Sequence, residues 1–232
     1  MLIAAAVVPQ PPVLVPAIAQ GLAPELGALR AACETAIDRL YAAGADELLI
    51  VGGGPQESRD VSARGGFQAY GVDLSVDGRW DCPTDRAVPM TLPFLIAAWL
   101  LRDRPADPVR RPVMVDEHGG AASVPGRERQ GRQAMLVLGD GSASRTPQAP
   151  GHFDERAEPY DATVARALAT ADVEALAGLD PKLSRELHVA GLPAWQVLAA
   201  AVRASGVEYQ AELLYDEAPY GVGYFVATWL AR

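Results

Sequence analysis

The chain has 232 residues, with 20 Lys+Arg against 29 Asp+Glu, a formal charge of −9 and a hydrophobic fraction of 50%. With acids in excess and bases scattered, no basic stripe is available to displace counterions from nucleic-acid phosphates or to hold an anionic membrane surface. Charged residues at 21%, with 22 Gly and 19 Pro, keep the composition in the globular range, so one domain over residues 1–232 with a sizeable core is expected.

In chain order, residues 2–8 are a short, continuous apolar run stopped by Pro9, Pro11 and Pro12, which predicts a fully buried strand feeding a loop. No Lys or Arg precedes this run, so it lacks the layout of a secretion leader. Over 24–43 the apolar positions Leu26, Leu29, Cys33, Ala36, Ile37 and Leu40 recur at helical spacing, which predicts an amphipathic helix ending before Gly44. Residues 47–51 predict a second buried strand, stopping at Gly52-Gly53-Gly54-Pro55. Strand, helix and strand then predict a βαβ unit with adjacent parallel strands. Residues 67–76 alternate loosely as a strand, 80–89 are turn-rich, and 91–103 predict a mostly apolar helix. The longest apolar stretch lies inside 92–101, about half the roughly 20 residues a spanning helix needs, so no membrane segment is expected.

Strands at 113–115 and 134–138 enclose a polar loop, 116–133, and 145–153 read as loop. Helices are predicted over 155–171, 173–178, 181–189 and 194–204, with Pro181 and Pro193 where first-turn prolines belong. Two strands, 207–215 and 221–229, close the chain around a turn at 216–220. Strands alternating with helices predict a three-layer α/β/α sandwich with a mixed, largely parallel central sheet. Cys33 and Cys82 make no disulfide framework, which fits a reducing, cytoplasmic setting.

Ligands of open α/β sheets collect at the carboxyl ends of the strands, which puts the loops there under consideration. The glycine triplet after the second strand lacks both the GKS/T ending of a P-loop and the GxGxxG of a dinucleotide site, so it reads as a tight turn lining a cleft. The GDGSAS step at 139–144 carries Asp140 and Ser144 where a nucleophile elbow needs glycine, which disfavours Ser142 as a nucleophile with His152 or His188 as its base. Asp116, Glu117 and His118 are consecutive, and neighbours on an extended segment face opposite ways, so a solvated loop is expected rather than a metal cage. Cys82 stands near Asp81 and Asp85, which would raise its pKa and leave an inert thiol.

Taken in order, four segments carry a resemblance: AAAVVPQPPVLVP, ELLIVGGGP, LVLGDGSASR followed by PGHFDERAEPYD, and YDEAPYGVGYFVATW. Together they resemble the class III extradiol ring-cleavage dioxygenases of the catalytic-subunit-B (LigB-type) superfamily, which also contains the Memo-like proteins. The likeness spans nearly the whole chain and is nearest to the compact stand-alone members. It implies a non-haem Fe(II) site of two histidines and one carboxylate, with a further histidine moving a phenol proton. The positions matching the family's metal histidines are Gln10 and Gly53, the position matching its acid/base histidine is Ala143, and its carboxylate has a counterpart in Glu217, with Asp216 beside it.

A neutral amide is a poor ligand for this metal, glycine offers no side chain, and one carboxylate cannot hold Fe(II) against water, so no cofactor is expected. The resemblance then implies a diverged ligand-binding or partner-binding homologue, with a small-molecule pocket drawn from Gln10, Gly53, His118, Asp140, Ser142, Asp216 and Glu217. The alternative is an active metal-dependent oxidoreductase on a catechol-like substrate, with Fe(II) held by a rearranged site of Glu217, Asp216 and His118. A third expectation is an assembly role, the chain pairing with itself or with a partner subunit.

Overall fold

The computed structural model describes residues 1–82, 87–116 and 131–232. Within them the strands are β1 (Leu2–Val8), β2 (Glu47–Gly54), β3 (Arg64–Gly66), β4 (Ser75–Asp77), β5 (Val109–Asp116), β6 (Gln133–Leu138), β7 (Tyr209–Glu217) and β8 (Tyr224–Ala231). The helices are α1 (Pro16–Ala19), α2 (Gly27–Ala42), α3 (Leu92–Leu100), α4 (Ala157–Thr170), α5 (Val173–Ala177), α6 (Pro181–Glu186) and α7 (Leu192–Ser205). None of the described helices is long and apolar enough to cross a membrane.

Six strands form one sheet in the order β5-β2-β6-β1-β8-β7. β5, β2, β6 and β1 are parallel, and β8 runs antiparallel to both of its neighbours. Alternation along each strand divides the side chains between two cores. Ala4, Ala6, Val8, Leu136 and Leu138 pack with α2 and α3, whereas Ala5, Val7, Met135 and Val137 pack with α4 and α7. The result is the expected three-layer α/β/α sandwich.

Several elements depart from the sequence reading. β1 and β2 are parallel but not adjacent, because β6 lies between them and pairs with both. The segment QAMLVL is buried at every position, which suits the middle of a sheet covered on both faces. The glycine triplet is not a turn: it continues β2, pairing with Met114, Val115 and Asp116 of β5. A Cβ at Gly52 would collide with the Pro93 ring, so the missing side chain is what lets α3 lie directly on β2. In place of one strand over 67–76 there is a hairpin of β3 and β4 joined through a 3-10 turn at Gln68–Tyr70, closed by Gly71 with φ +80°. β5 begins four residues before the expected 113, at Val109, because ladder bonds are made by the backbone and an edge strand tolerates Pro112. The helix expected from 24 starts at Gly27, after a 3-10 segment at Gln20–Leu26, and the final turn lies later than expected, since β7 runs on to Glu217.

At the amino-terminal end of the sheet Arg110 is buried at 2% exposure. Its guanidinium donates to the carbonyls of Gly78, Leu101, Arg104 and Pro105 and to the Tyr41 hydroxyl, at 2.9 to 3.2 Å. One cation thereby joins α2, the end of α3 and the β3–β4 hairpin.

Candidate functional site

The register of the sheet places the site. β1 pairs Val8 with Leu138 of β6, so two residues further on Gln10 comes level with Asp140. The Gln10 backbone N–H donates to Asp140 Oδ1 at 2.7 Å, which locks that alignment. β1 also pairs Val7 with Ala227 of β8, so three residues further in each direction Gln10 comes level with Tyr224, and Tyr224 in turn pairs with Glu217 of β7. Asp140, Gln10, Tyr224 and Glu217 therefore form a row across four neighbouring strands.

The row lies on one face. Val8, Leu138 and Tyr224 belong to the core under α2, and strand alternation puts Gln10, Asp140 and Glu217 on the same side. Tyr215, two residues before Glu217, shares this side and donates its hydroxyl to Glu217 Oε2 at 3.1 Å. This is also where the chain's connections diverge: β1 leads to α2 on one face, and β6 leads to α4 and α7 on the other. Adjacent parallel strands with connections leaving to opposite faces are the topological position at which doubly wound sheets bind ligands.

Within the row, Gln10 is 8% exposed and its Oε1 is buried with no hydrogen-bond partner. A buried carbonyl left without a donor costs about 1–3 kcal/mol, so this atom carries an unmet demand for a donor. Burial pushes the Asp140 carboxyl up from its usual 3.8 to about 7, against the Gln10 N–H, which favours the anion. The phenols of Tyr215 and Tyr224 are pushed up as well, by burial first and then by nearby acids, Glu217 for Tyr215 and Asp140 for Tyr224. At the rim the Tyr220 hydroxyl donates to Glu25 Oε2 at 2.7 Å, joining the final turn to the segment before α2.

The remaining residues singled out from the sequence fall elsewhere. Ser142 is fully buried, and its N–H and hydroxyl both donate to Asp161 of α4, at 2.8 and 2.7 Å. Arg145 Nη1 donates to the same carboxylate at 3.3 Å. Ser142 is thus a structural donor rather than a nucleophile, and His152 and His188 are exposed. Asp216 pairs with Phe225 and Gly53 with Val115, so both belong to the α4 side of the sheet. Ala143 lies in the loop beyond Ser142, its N–H donating to Leu187 O at 2.9 Å. Asp85, Glu117 and His118 lie outside the described residues. Burial raises the thiols of Cys33 and Cys82, with Asp60 adding to the effect at Cys82.

Of the four positions that the resemblance aligns with the extradiol site, Gln10 and Glu217 lie on the α2 side of the sheet and Gly53 on the other. A neutral amide and an exposed carboxylate do not make a two-imidazole, one-carboxylate set, so the residues described here do not fit Fe(II). Among the described residues no group of three His, Cys, Asp or Glu is gathered where it could hold a metal ion. Sequence reasoning found Gln10, Asp140 and Glu217 from their places after strands. It missed Tyr215 and Tyr224, which the alternation of the last two strands around their turn could have brought to the same side. It also missed Asp161, whose position in the middle of a helix gives no local signal. Compared with known proteins, the chain matches no family model and no curated sequence.

Proposed function

We propose that this chain is a diverged relative of the class III extradiol dioxygenases that binds a polar small molecule, without iron chemistry, on the row formed by Asp140, Gln10, Tyr224 and Glu217. The observation that carries the reading is Gln10 Oε1: it is buried, unpartnered, and stands at the position that matches the family's first metal histidine. An acceptor there suits a ligand that brings its own donor, and it is a weak replacement for imidazole as a metal ligand. The sheet and its crevice persist in this reading, while the groups that would activate oxygen do not.

The test is anaerobic reconstitution of the purified chain with Fe(II), followed by measurement of bound metal and of oxygen uptake with a panel of catechols. The expected result is sub-stoichiometric iron and no ring-opening absorbance. Stoichiometric iron with ring opening would overturn the reading and restore the enzyme alternative, in which Glu217→Gln and His118→Ala each abolish metal binding.

A further inference from the structure

The chemistry of the row indicates what it would hold. Asp140 and Glu217 are acids, Gln10 presents a buried acceptor, and Tyr215 and Tyr224 are phenols; none of the five is basic. Glu25 adds a further acid at the rim through Tyr220. The nearest arginine of the neighbouring loop, Arg145, is committed on the opposite face to Asp161 and Glu158, at 3.3 and 3.6 Å. The helix over this face carries Arg30, whose Nη2 donates to Ala23 O at 2.5 Å and whose Nη1 is buried without a partner. An unsatisfied acceptor beside the carboxyl group of Asp140, with that of Glu217 two strands further along the row, calls for a ligand rich in N–H donors and positive in charge. Aromatic rings bordering such a site add to the attraction for a cation, and a chain of net charge −9 raises its local concentration.

We infer that the row takes an organic cation, a primary ammonium or a guanidinium, whose N–H groups donate to Gln10 Oε1 and to the neighbouring carboxyl group of Asp140, while Glu217, two strands away from Gln10, attracts the charge at longer range. This inference rests on the reading of the row as a ligand site and adds the class of the ligand. Gln10 supplies the fixed acceptor that orients the head group, because its backbone N–H is already held by Asp140 and its side chain is enclosed. Glu217, exposed and joined to Tyr215, supplies the charge that meets the ligand first.

Isothermal titration calorimetry on the full chain at low salt tests it, with n-butylamine, n-butylguanidine, 1-butanol, butyrate and catechol as probes. The two cations are expected to bind and 1-butanol to bind at least about tenfold more weakly, the discrimination of one charge-assisted hydrogen bond. Gln10→Met, which keeps the volume and removes the acceptor, and Glu217→Gln are each expected to weaken cation binding by roughly tenfold while retaining the wild-type circular dichroism and melting profile.

If 1-butanol, catechol or butyrate binds as tightly as the amine and Gln10→Met abolishes it, the cation inference falls and the ligand site stands. Butyrate preference would point to Arg30 in place of the acids. Cation binding unaltered in both variants, or no heat from any probe, overturns the inference. Stoichiometric iron with ring opening in the separate metal experiment is the result that removes the site reading itself.

Discussion

Asp140 sits at a balance point, since burial lifts its carboxyl to about 7 while the Gln10 N–H favours the anion. The native state therefore holds this proton more tightly than the unfolded chain, whose carboxyl titrates near 3.8. Across that window the native state binds more protons, so stability falls as pH rises from about 4 to about 7 and is level on either side. Cys33 of α2 and Tyr224 of β8 face the same carboxyl, and both are pushed up, so they stay neutral over that range. Asp140→Asn keeps an acceptor for the Gln10 N–H and removes the titration. Its melting temperature relative to wild type should be higher at pH 8 than at pH 5, and an offset equal at both pH values would refute this assignment. Asp161, 1% exposed, is a different kind of acid, burial raising its pKa while Ser142 and Arg145 oppose the rise. Asp161→Ala leaves Ser142 and Arg145 without their acceptor and should cost about 3 kcal/mol in denaturant unfolding. Gln10, Asp140 and Glu217 were legible because strand ends are where such sheets bind ligands. Which of their neighbours share a face with them was not, since that follows from pairing between strands far apart in sequence.

At the scale of the elements, α3 and β2 meet through a missing side chain. Gly52→Ala inserts a methyl group where Pro93 already lies, and should destabilise the fold by about 1–3 kcal/mol in equilibrium unfolding. Arg110→Met removes the donor shared by the end of α3, the β3–β4 hairpin and the stretch at 104–105, leaving four carbonyls to find other partners. An expected loss of about 2–4 kcal/mol, with proteolysis starting in the hairpin, is the check on that role. Continuous apolar runs made β1 and β6 readable, and helical spacing made most of α2 readable. The glycine strand was hidden because glycine signals turns far more often than close packing. β5 was shortened because Arg110, Arg111 and Pro112 interrupt the apolar pattern while leaving the backbone ladder intact. The order of strands was misread because local sequence carries no record that β6, arriving late in the chain, would insert between β1 and β2.

Over the whole molecule, the two cores share one sheet, every central strand contributing alternate residues to each. Loss of one core strips a face from the other, so far-ultraviolet and near-ultraviolet circular dichroism should report a single coincident transition; separated midpoints would show two independent units. The loop that follows β6 is stitched to the approach of β8 by Gly141 N to Gly223 O, Gly223 N to Ser142 O and Arg145 N to Gly221 O, at 2.7, 2.8 and 3.0 Å. Asp161 lies against the Cα atoms of both Gly141 and Gly223 and fills the space that side chains would take. One jaw of the crevice is consequently a welded piece, carrying Asp140 and Tyr224 at a set separation. If the row holds a guest as proposed, that guest must match this gauge on arrival, with accommodation left to the opposite lip, the proline-punctuated stretch between Gln10 and α2.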